Sequence, residues 1–177
     1  MTTYPGIGLT SYWTDGTTDG ATANYAVYVG DGNVYKFDRS WQSYTPIFST
    51  IGGGEAGISF DAAAGTLWTA EPGSGSSSTL RNYDLSGTAL SSFPSSGPDN
   101  QFYLAYDRAD DTLWTVTTST GWFSQYSKAG SLLQQFQVPG FSEPNVRGAE
   151  FQIPAPGAAP ALALSSLLGT RRRRPVR

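Results

Sequence analysis

Cysteine and histidine are both absent from this 177-residue sequence. Without cysteine, the chain can form neither a disulfide nor a thiolate metal site. Without histidine, it lacks the usual general base near neutral pH and the commonest metal ligand. Catalytic triads or dyads that depend on histidine are therefore excluded.

Charged residues are also scarce, at 14% of the chain, and their signs are unevenly distributed. All 14 acidic residues lie in residues 1–153, whereas residues 154–177 contain arginine as their only charged residue type. An acidic body argues against nucleic acid as a partner, because nucleic acid selects basic surfaces. Gly, Ser, Thr and aromatic residues are plentiful, which is typical of an all-β extracellular domain.

A repeated unit accounts for most of the body. The segment Phe60 to Thr69 returns as Tyr106 to Thr115, an offset of 46 residues, with Thr-Leu-Trp-Thr at the end of both copies. The segment Leu80 to Leu90 returns as Phe123 to Leu133, an offset of 43 residues. Periods of this length, with several short strands in each, predict propeller blades.

Each copy divides into four short strands separated by turn-forming residues. In the best-formed copy the predicted strands are Phe102–Asp107, Thr112–Thr117, Trp122–Ser127 and Leu132–Val138. Residues 57–93 are expected to form an earlier copy, and residues 25–50 most of another. Trp68 and Trp114 should pack at equivalent buried positions between blades. Residues 1–153 are thus predicted to be all-β, a partial β-propeller of about three four-stranded antiparallel blades.

Both ends of this array suggest missing partners. Propellers close with 4–8 blades, and residues 147–153 resemble the opening strand of a further blade. Residues 1–10 contain neither the basic nor the apolar region of a signal peptide. We therefore expect that upstream blades and a signal peptide precede this chain, and that residues 146–151 complete an N-terminal blade.

The segment 154–177 has three parts in a fixed order. Pro154, Ala155, Pro156 and Gly157 are followed by the small and apolar segment 158–170 and by residues 171–177, which begin with Arg171, Arg172, Arg173 and Arg174. The prolines favour extended, accessible backbone, the apolar segment would be helical in lipid, and the arginines would stay on the cytoplasmic side. The predicted apolar helix is short, because residues 158–169 span only ~18 Å, so anchoring by it alone should be marginal.

In this order of parts, the tail resembles the PEP-CTERM sorting signal of Gram-negative bacteria, in a Pro-Ala-Pro-Gly variant. The resemblance implies recognition by an exosortase, a membrane-embedded processing enzyme, and transient anchoring in the inner membrane. It also implies a final location in the cell envelope or outside the cell. A disordered Ala/Pro tail with an accidental basic end is the alternative.

The body resembles the NHL-like and gluconolactonase-like propellers in its Asp-turn-Thr-Leu-Trp pattern and its Tyr-Asp-x-x-Gly turn. The resemblance implies the architecture. It does not imply an activity, because propellers include hydrolases, lyases, ligand binders and scaffolds.

Carboxylates are the remaining candidates for acid–base chemistry. The candidates are Glu55, Glu71, Asp99, Glu143 and Glu150. A pair of them could serve glycosidic or metal-assisted chemistry, but their spacing in the sequence does not indicate which two would lie together. No catalytic residue is assigned.

Two further groups have a functional and a structural interpretation. Asp107, Asp110 and Asp111 share one turn and could bind Ca²⁺ through oxygens, although an Asp can equally cap its own turn. No other cofactor is expected. Trp13, Trp41 and Trp122 have no matching tryptophan in the other copies of the repeat, and these unmatched tryptophans could stack on sugar rings.

Two functions of different classes remain. In the first, the chain is a non-catalytic, exported envelope or matrix propeller that binds extracellular polysaccharide or a surface protein. In the second, it is a secreted propeller enzyme, a lactonase or glycan-active enzyme that uses carboxylates and a divalent metal. The missing histidine favours the first.

Overall fold

The computed structural model describes residues 13–73, 77–97, 101–117 and 120–139. Within these residues, the strands form three four-stranded antiparallel sheets. The strands are β1 (Trp13–Thr18), β2 (Asn24–Tyr28), β3 (Asn33–Phe37), β4 (Tyr44–Ser49), β5 (Gly57–Asp61), β6 (Thr66–Pro72), β7 (Ser78–Tyr83), β8 (Ala89–Pro94), β9 (Gln101–Asp107), β10 (Thr112–Thr117), β11 (Trp122–Ser127) and β12 (Leu132–Gln137). This described part contains no helix that is long and apolar enough to span a membrane.

Each sheet is a meander in which the strands pair in chain order. The first sheet is β1–β4, the second β5–β8 and the third β9–β12. The predicted four-stranded repeat is confirmed, and the strands predicted in the third copy differ from the observed ones by single residues at two ends.

Residues 25–50 contain most of the first sheet, as predicted, and the sheet also has an earlier strand, β1, which begins at Trp13. The strand β1, with the sequence WTDGTT, has no aliphatic residue, so it lacks the alternation by which the other strands were recognised. The apolar helix and basic tail predicted for residues 154–177 lie outside the described residues, as does the strand predicted at residues 146–151.

An aspartate forms the first turn in every sheet. Asp19 Oδ1 accepts hydrogen bonds from the N–H groups of Ala21, Thr22 and Ala23 at 2.8, 2.7 and 3.0 Å. Asp61 accepts from Ala63 and Ala64, both at 3.0 Å, and Asp107 accepts from Ala109 at 2.9 Å. A short acidic side chain suits this position because it can reach the backbone of its own turn.

The third turn of each sheet contains a residue with a left-handed backbone. Its N–H donates to the carbonyl oxygen three residues earlier, at 3.1 Å for Trp41, 3.1 Å for Gly87 and 2.9 Å for Gly130. The φ angles are 59°, 90° and 91°, respectively. Glycine adopts this conformation without steric cost, whereas tryptophan does not.

Apolar clusters join the sheets face to face. Between the first and second sheets the buried residues are Ala23, Tyr25, Val27, Val34, Ile58 and Leu67. Between the second and third sheets they are Trp68, Ala70, Leu80, Phe93, Leu104, Tyr106, Leu113 and Tyr126. Burial of this apolar area is the main source of stability in such an array.

Hydrogen bonds between the first strands of neighbouring sheets, β1, β5 and β9, align the sheets with one another. Asp15 Oδ2 accepts from the N–H of Ile58 at 3.0 Å, and Thr17 Oγ1 accepts from the N–H of Phe60 at 3.0 Å. One sheet further on, Ser59 Oγ accepts from the N–H of Tyr106 at 2.8 Å. Polar side chains on β1 and β5 thus satisfy backbone donors of the following sheet.

Candidate functional site

Two of the five candidate carboxylates meet at the junction of the first and second sheets. Glu55 lies just before β5 and Glu71 lies in β6, and both approach Arg81 of β7. Arg81 Nη1 is 3.6 Å from Glu55 Oε1 and donates a closer bond to Glu71 Oε2. The other candidates, Asp99, Glu143 and Glu150, lie outside the described residues.

Glu55 is inaccessible, with 1% of its side chain exposed. Burial raises its pKa, although the Thr50 hydroxyl, which donates to Glu55 Oε2, and the charge of Arg81 oppose the rise. Above Glu71, the backbone of Gly52 lies so close to the carboxylate that an added Cβ would collide with it. The loop between the first two sheets therefore covers this ion-pair cluster.

The next sheet contains an uncharged counterpart of this cluster. Gln101 is 46 residues after Glu55, and Ser124 is 43 residues after Arg81, the two offsets of the repeat. Gln101 Nε2 donates to Ser124 Oγ at 3.2 Å and to Tyr126 Oη at 3.0 Å, and Gln101 is fully buried. Because the same two positions are joined without charge in the third sheet, the Glu55–Arg81 pair has a structural explanation.

A second polar cluster links the second and third sheets. Lys128 Nζ lies 2.9 Å from Asp61 Oδ2 and 2.6 Å from Asp111 Oδ1, and 5.4 Å from the centre of the Tyr106 ring. Burial opposes the charge on Lys128, but its bonds to Asp111 and Asp61 raise its pKa overall. The bonds from Lys128 and Tyr106 lower the pKa of Asp111.

The three aspartates proposed for Ca²⁺ have separate protein partners. Asp107 accepts from the N–H of Ala109, and Asp111 accepts from the Tyr106 hydroxyl at 2.7 Å. Asp110 Oδ2 accepts from Gln125 Nε2 at 2.7 Å. Among the residues that the structure describes, no three acidic, histidine or cysteine side chains are grouped to hold a metal ion.

Two of the three unmatched tryptophans lie together on the outer face of the first sheet. This aromatic cluster comprises Trp13, Tyr28, Tyr35, Phe37, Trp41 and Tyr44. The ring centre of Trp13 is 5.1 Å from that of Tyr35 and 5.2 Å from that of Phe37, and Trp41 lies 5.0 Å from Phe37. The cluster faces away from the second sheet, because Ala26 and Tyr35 alternate along their strands with residues of the inner face. Trp122 lies elsewhere, on β11 of the third sheet.

Trp68 and Trp114 occupy equivalent places in their sheets. Trp68 lies 5.9 Å from Phe93, and Trp114 lies 5.9 Å from Phe136. The prediction that both are buried was wrong for Trp114, which is only half-buried, whereas 2% of Trp68 is exposed. The third sheet covers Trp68, and no sheet among the described residues covers Trp114 in the same way.

Sequence reasoning missed Arg81, Gln101 and Lys128. Arg81 occupies the repeat position held by Tyr35 and Ser124, so its charge breaks the repeat. Comparing equivalent positions for such breaks would have indicated Arg81 and its partners. The bond from Lys128 to Asp61 spans 67 residues and has no local signal.

No protein-family model and no curated protein matches this chain. Solved structures match it in fold at 14–15% identity. A Bacteroides caccae protein of unknown function aligns with a TM-score of 0.55 over 75% of this chain and 49% of its own. Virginiamycin B lyase from Staphylococcus aureus aligns at 0.55 over 76% and 43%, and the WD40 β-propeller domain of Doa1 at 0.52 over 73% and 42%. The chain spans less than half the length of each, and its body has a propeller-like fold.

Proposed function

We propose that this chain is a non-catalytic propeller protein of the cell envelope or extracellular matrix, exported and sorted through its C-terminal signal. One observation carries the proposal: the Pro154–Gly157 motif, the apolar segment 158–170 and the arginine cluster follow one another in that order at the C-terminus. A soluble tail has no physical need for four arginines directly after an apolar run.

The chemistry of the body supports binding over catalysis. The only pair of candidate carboxylates that meets within the described residues is held by Arg81, and Glu55 is buried. The aromatic cluster of the first sheet instead contains partly exposed Trp13, Trp41 and Tyr44. Such rings suit the apolar faces of sugars as well as protein surfaces, so we propose a polysaccharide or a surface protein as the partner.

The tail predicts how the protein is sorted. The arginines should resist crossing the membrane and hold the short apolar segment in place. An exosortase in the inner membrane would then meet the extended Pro154–Gly157 backbone and remove the tail.

The test is the mass of the mature C-terminus in a host with the cognate exosortase. Replacing Pro154 and Pro156 with Ala should block processing, and replacing Arg171–Arg174 with Ser should weaken membrane retention. An intact Arg177 on the displayed or secreted protein would show that the tail is not a processing signal.

An enzymatic function is the second candidate, and one observation favours it. Glu55 and Glu71, two of the carboxylates expected to serve such chemistry, converge on Arg81. A lactonase or glycan-active enzyme would use the half-buried Glu71 together with a divalent metal. Activity of the full chain on lactones or oligosaccharides with Ca²⁺ or Mg²⁺, lost in Glu71→Gln, would support this candidate.

A further inference from the structure

A phenylalanine and a glycine form a repeated contact between neighbouring sheets. Phe48, in the fourth strand of the first sheet, lies against Gly87 in the third turn of the second sheet. A Cβ added to Gly87 would lie 2.5 Å from Phe48 Cβ. The Phe48 ring is also 5.2 Å from that of Tyr83, which precedes the same turn.

The next interface has the same arrangement. A Cβ added to Gly130 would lie 2.7 Å from Phe93 Cγ, and the Phe93 ring is 5.8 Å from that of Tyr126. At both junctions, therefore, only glycine leaves room for the phenylalanine of the preceding sheet. A larger residue in the turn would have to displace that ring or the turn itself.

The first sheet has tryptophan where the other two have glycine. Trp41 keeps the left-handed backbone, with a φ of 59°, and its ring lies 5.0 Å from Phe37. Phe37 is the equivalent of Tyr83 and Tyr126 in the repeat. Trp41 thus places its own ring where a preceding sheet would place a phenylalanine.

The third sheet has the phenylalanine of this contact but no following sheet to supply the glycine among the described residues. Phe136 holds the position of Phe48 and Phe93, and 44% of it is exposed. It stacks on Phe123 at 5.3 Å and packs against Trp114 at 5.9 Å. We call the surface formed by Trp114, Phe123 and Phe136 the Phe136 face. It is equivalent to the faces with which the first and second sheets each pack on the following sheet.

We propose that the Phe136 face is a docking surface for a propeller blade with glycine in its third turn, and that Trp41 prevents a second copy of this chain from docking there through its first sheet. The partner is recognised by its shape, because Phe136 needs a turn without a side chain. The tail does not enter this inference, so processing and docking can fail independently.

The test is to give a second copy the missing glycine. An acceptor chain carrying Trp41→Gly and Phe136→Ala has the glycine but cannot dock through its own Phe136 face. The matched control acceptor carries Phe136→Ala alone. Both are immobilised as full-length chains, and wild-type chain or a Phe136→Ala chain is passed over them as donor.

Wild-type donor should bind the Trp41→Gly acceptor at least about tenfold more tightly than the control acceptor, a difference of ~1.4 kcal/mol. The Phe136→Ala donor should lose that gain. Equal binding to the two acceptors, or equal binding by the two donors, would overturn the proposal.

The acceptor must also stay folded. Circular dichroism and thermal unfolding of each variant check this, because Trp41 packs on Phe37. If Trp41→Gly unfolds, Phe37→Tyr is added to it, because the second and third sheets have tyrosine, Tyr83 and Tyr126, at the position of Phe37 beside their glycine. A folded acceptor with both changes that binds no better than the control would also refute the proposal.

Discussion

At the scale of single residues, equivalent positions of the repeat show which charged residues have a structural role. Glu55 and Gln101 are equivalent, and both are buried at the start of their sheets. Gln101 donates hydrogen bonds to Ser124 and Tyr126, whereas Glu55 lies beside Arg81. A buried ion pair adds little net stability when a neutral pair can take its place.

Replacing Glu55 with Gln should therefore stabilise the protein increasingly as the pH rises. Burial raises the folded-state pKa of Glu55 above its ordinary value of 4.5, so the folded chain retains a proton that the unfolded chain releases. The wild type consequently loses stability as the pH rises from the unfolded-state pKa of Glu55 to its higher folded-state pKa, whereas glutamine does not titrate. Urea unfolding at pH 4 and pH 8 measures the difference, and a variant less stable than wild type at pH 8 would contradict it.

The reverse change, Gln101→Glu, provides the matched comparison. Its carboxylate would lie beside Ser124 and Tyr126, without the arginine that Glu55 has. We expect a loss of about 3 kcal/mol at neutral pH, because a buried charge without a partner is costly. Most of the loss should disappear at low pH, where the new side chain is protonated.

Gly130 offers a third prediction at this scale. Gly130→Ala should destabilise the protein by about 1 to 3 kcal/mol, since alanine is strained at a φ of 91° and its Cβ would overlap Phe93. Gly65→Ala is the control, because Gly65 also has a positive φ, 69°, but has no atom within 4 Å of an added Cβ. Equal losses in the two variants would mean that the Phe93 contact has no energetic weight.

At the scale of elements, turns as well as strand faces connect the sheets. The turn after β11 carries Lys128 to Asp61 at the end of β5, and the turn after β9 provides Asp111 to the same lysine. Asp61 also accepts two backbone hydrogen bonds in its own turn. A single lysine therefore joins three turns from two sheets.

Removing that lysine should loosen the junction. Lys128→Met should cost about 3 kcal/mol, because Asp61 is 1% exposed and would lose its partner charge. Asp61→Asn in the same chain should recover part of the loss, since no buried charge then remains. Chemical denaturation of the two single variants and the double variant gives their coupling energy, and additive losses would argue against a direct interaction.

At the scale of the whole molecule, the described residues form an array with two unlike ends. The first sheet covers its outer face with its own aromatic cluster. The third sheet exposes Leu132, Leu133 and Phe136, at 40%, 52% and 44%. Exposed apolar faces of this kind favour association.

We expect residues 1–153 to be marginally stable or to self-associate through the third sheet. Replacing Leu133 and Phe136 with Ser should reduce the association, because it removes apolar side chains that are already exposed. Size-exclusion chromatography with light scattering is the measurement. A compact wild-type monomer with a cooperative thermal transition would contradict the expectation.

Much of the fold could be predicted from local patterns. The strand ends in the third sheet followed from alternating residues and Asp- and Gly-rich turns, which act within one hairpin. The strand β1 was missed because its sequence, WTDGTT, carries no alternation. Its place is determined by long-range contacts, through the hydrogen bonds that Asp15 and Thr17 accept from the N–H groups of Ile58 and Phe60.

By itself, the sequence determined the repeat, the four-stranded sheets and the equivalence of Trp68 and Trp114, because the strands and turns follow from residues close together in the chain and the copies match in sequence. It also contains the three-part C-terminal segment on which the proposed sorting rests. Only the tertiary structure decided that Glu55 and Glu71 share Arg81 and that the Trp41 ring packs on Phe37. Those contacts depend on how separate elements pack, and the packing is specified by the summed burial of many side chains rather than by any short motif.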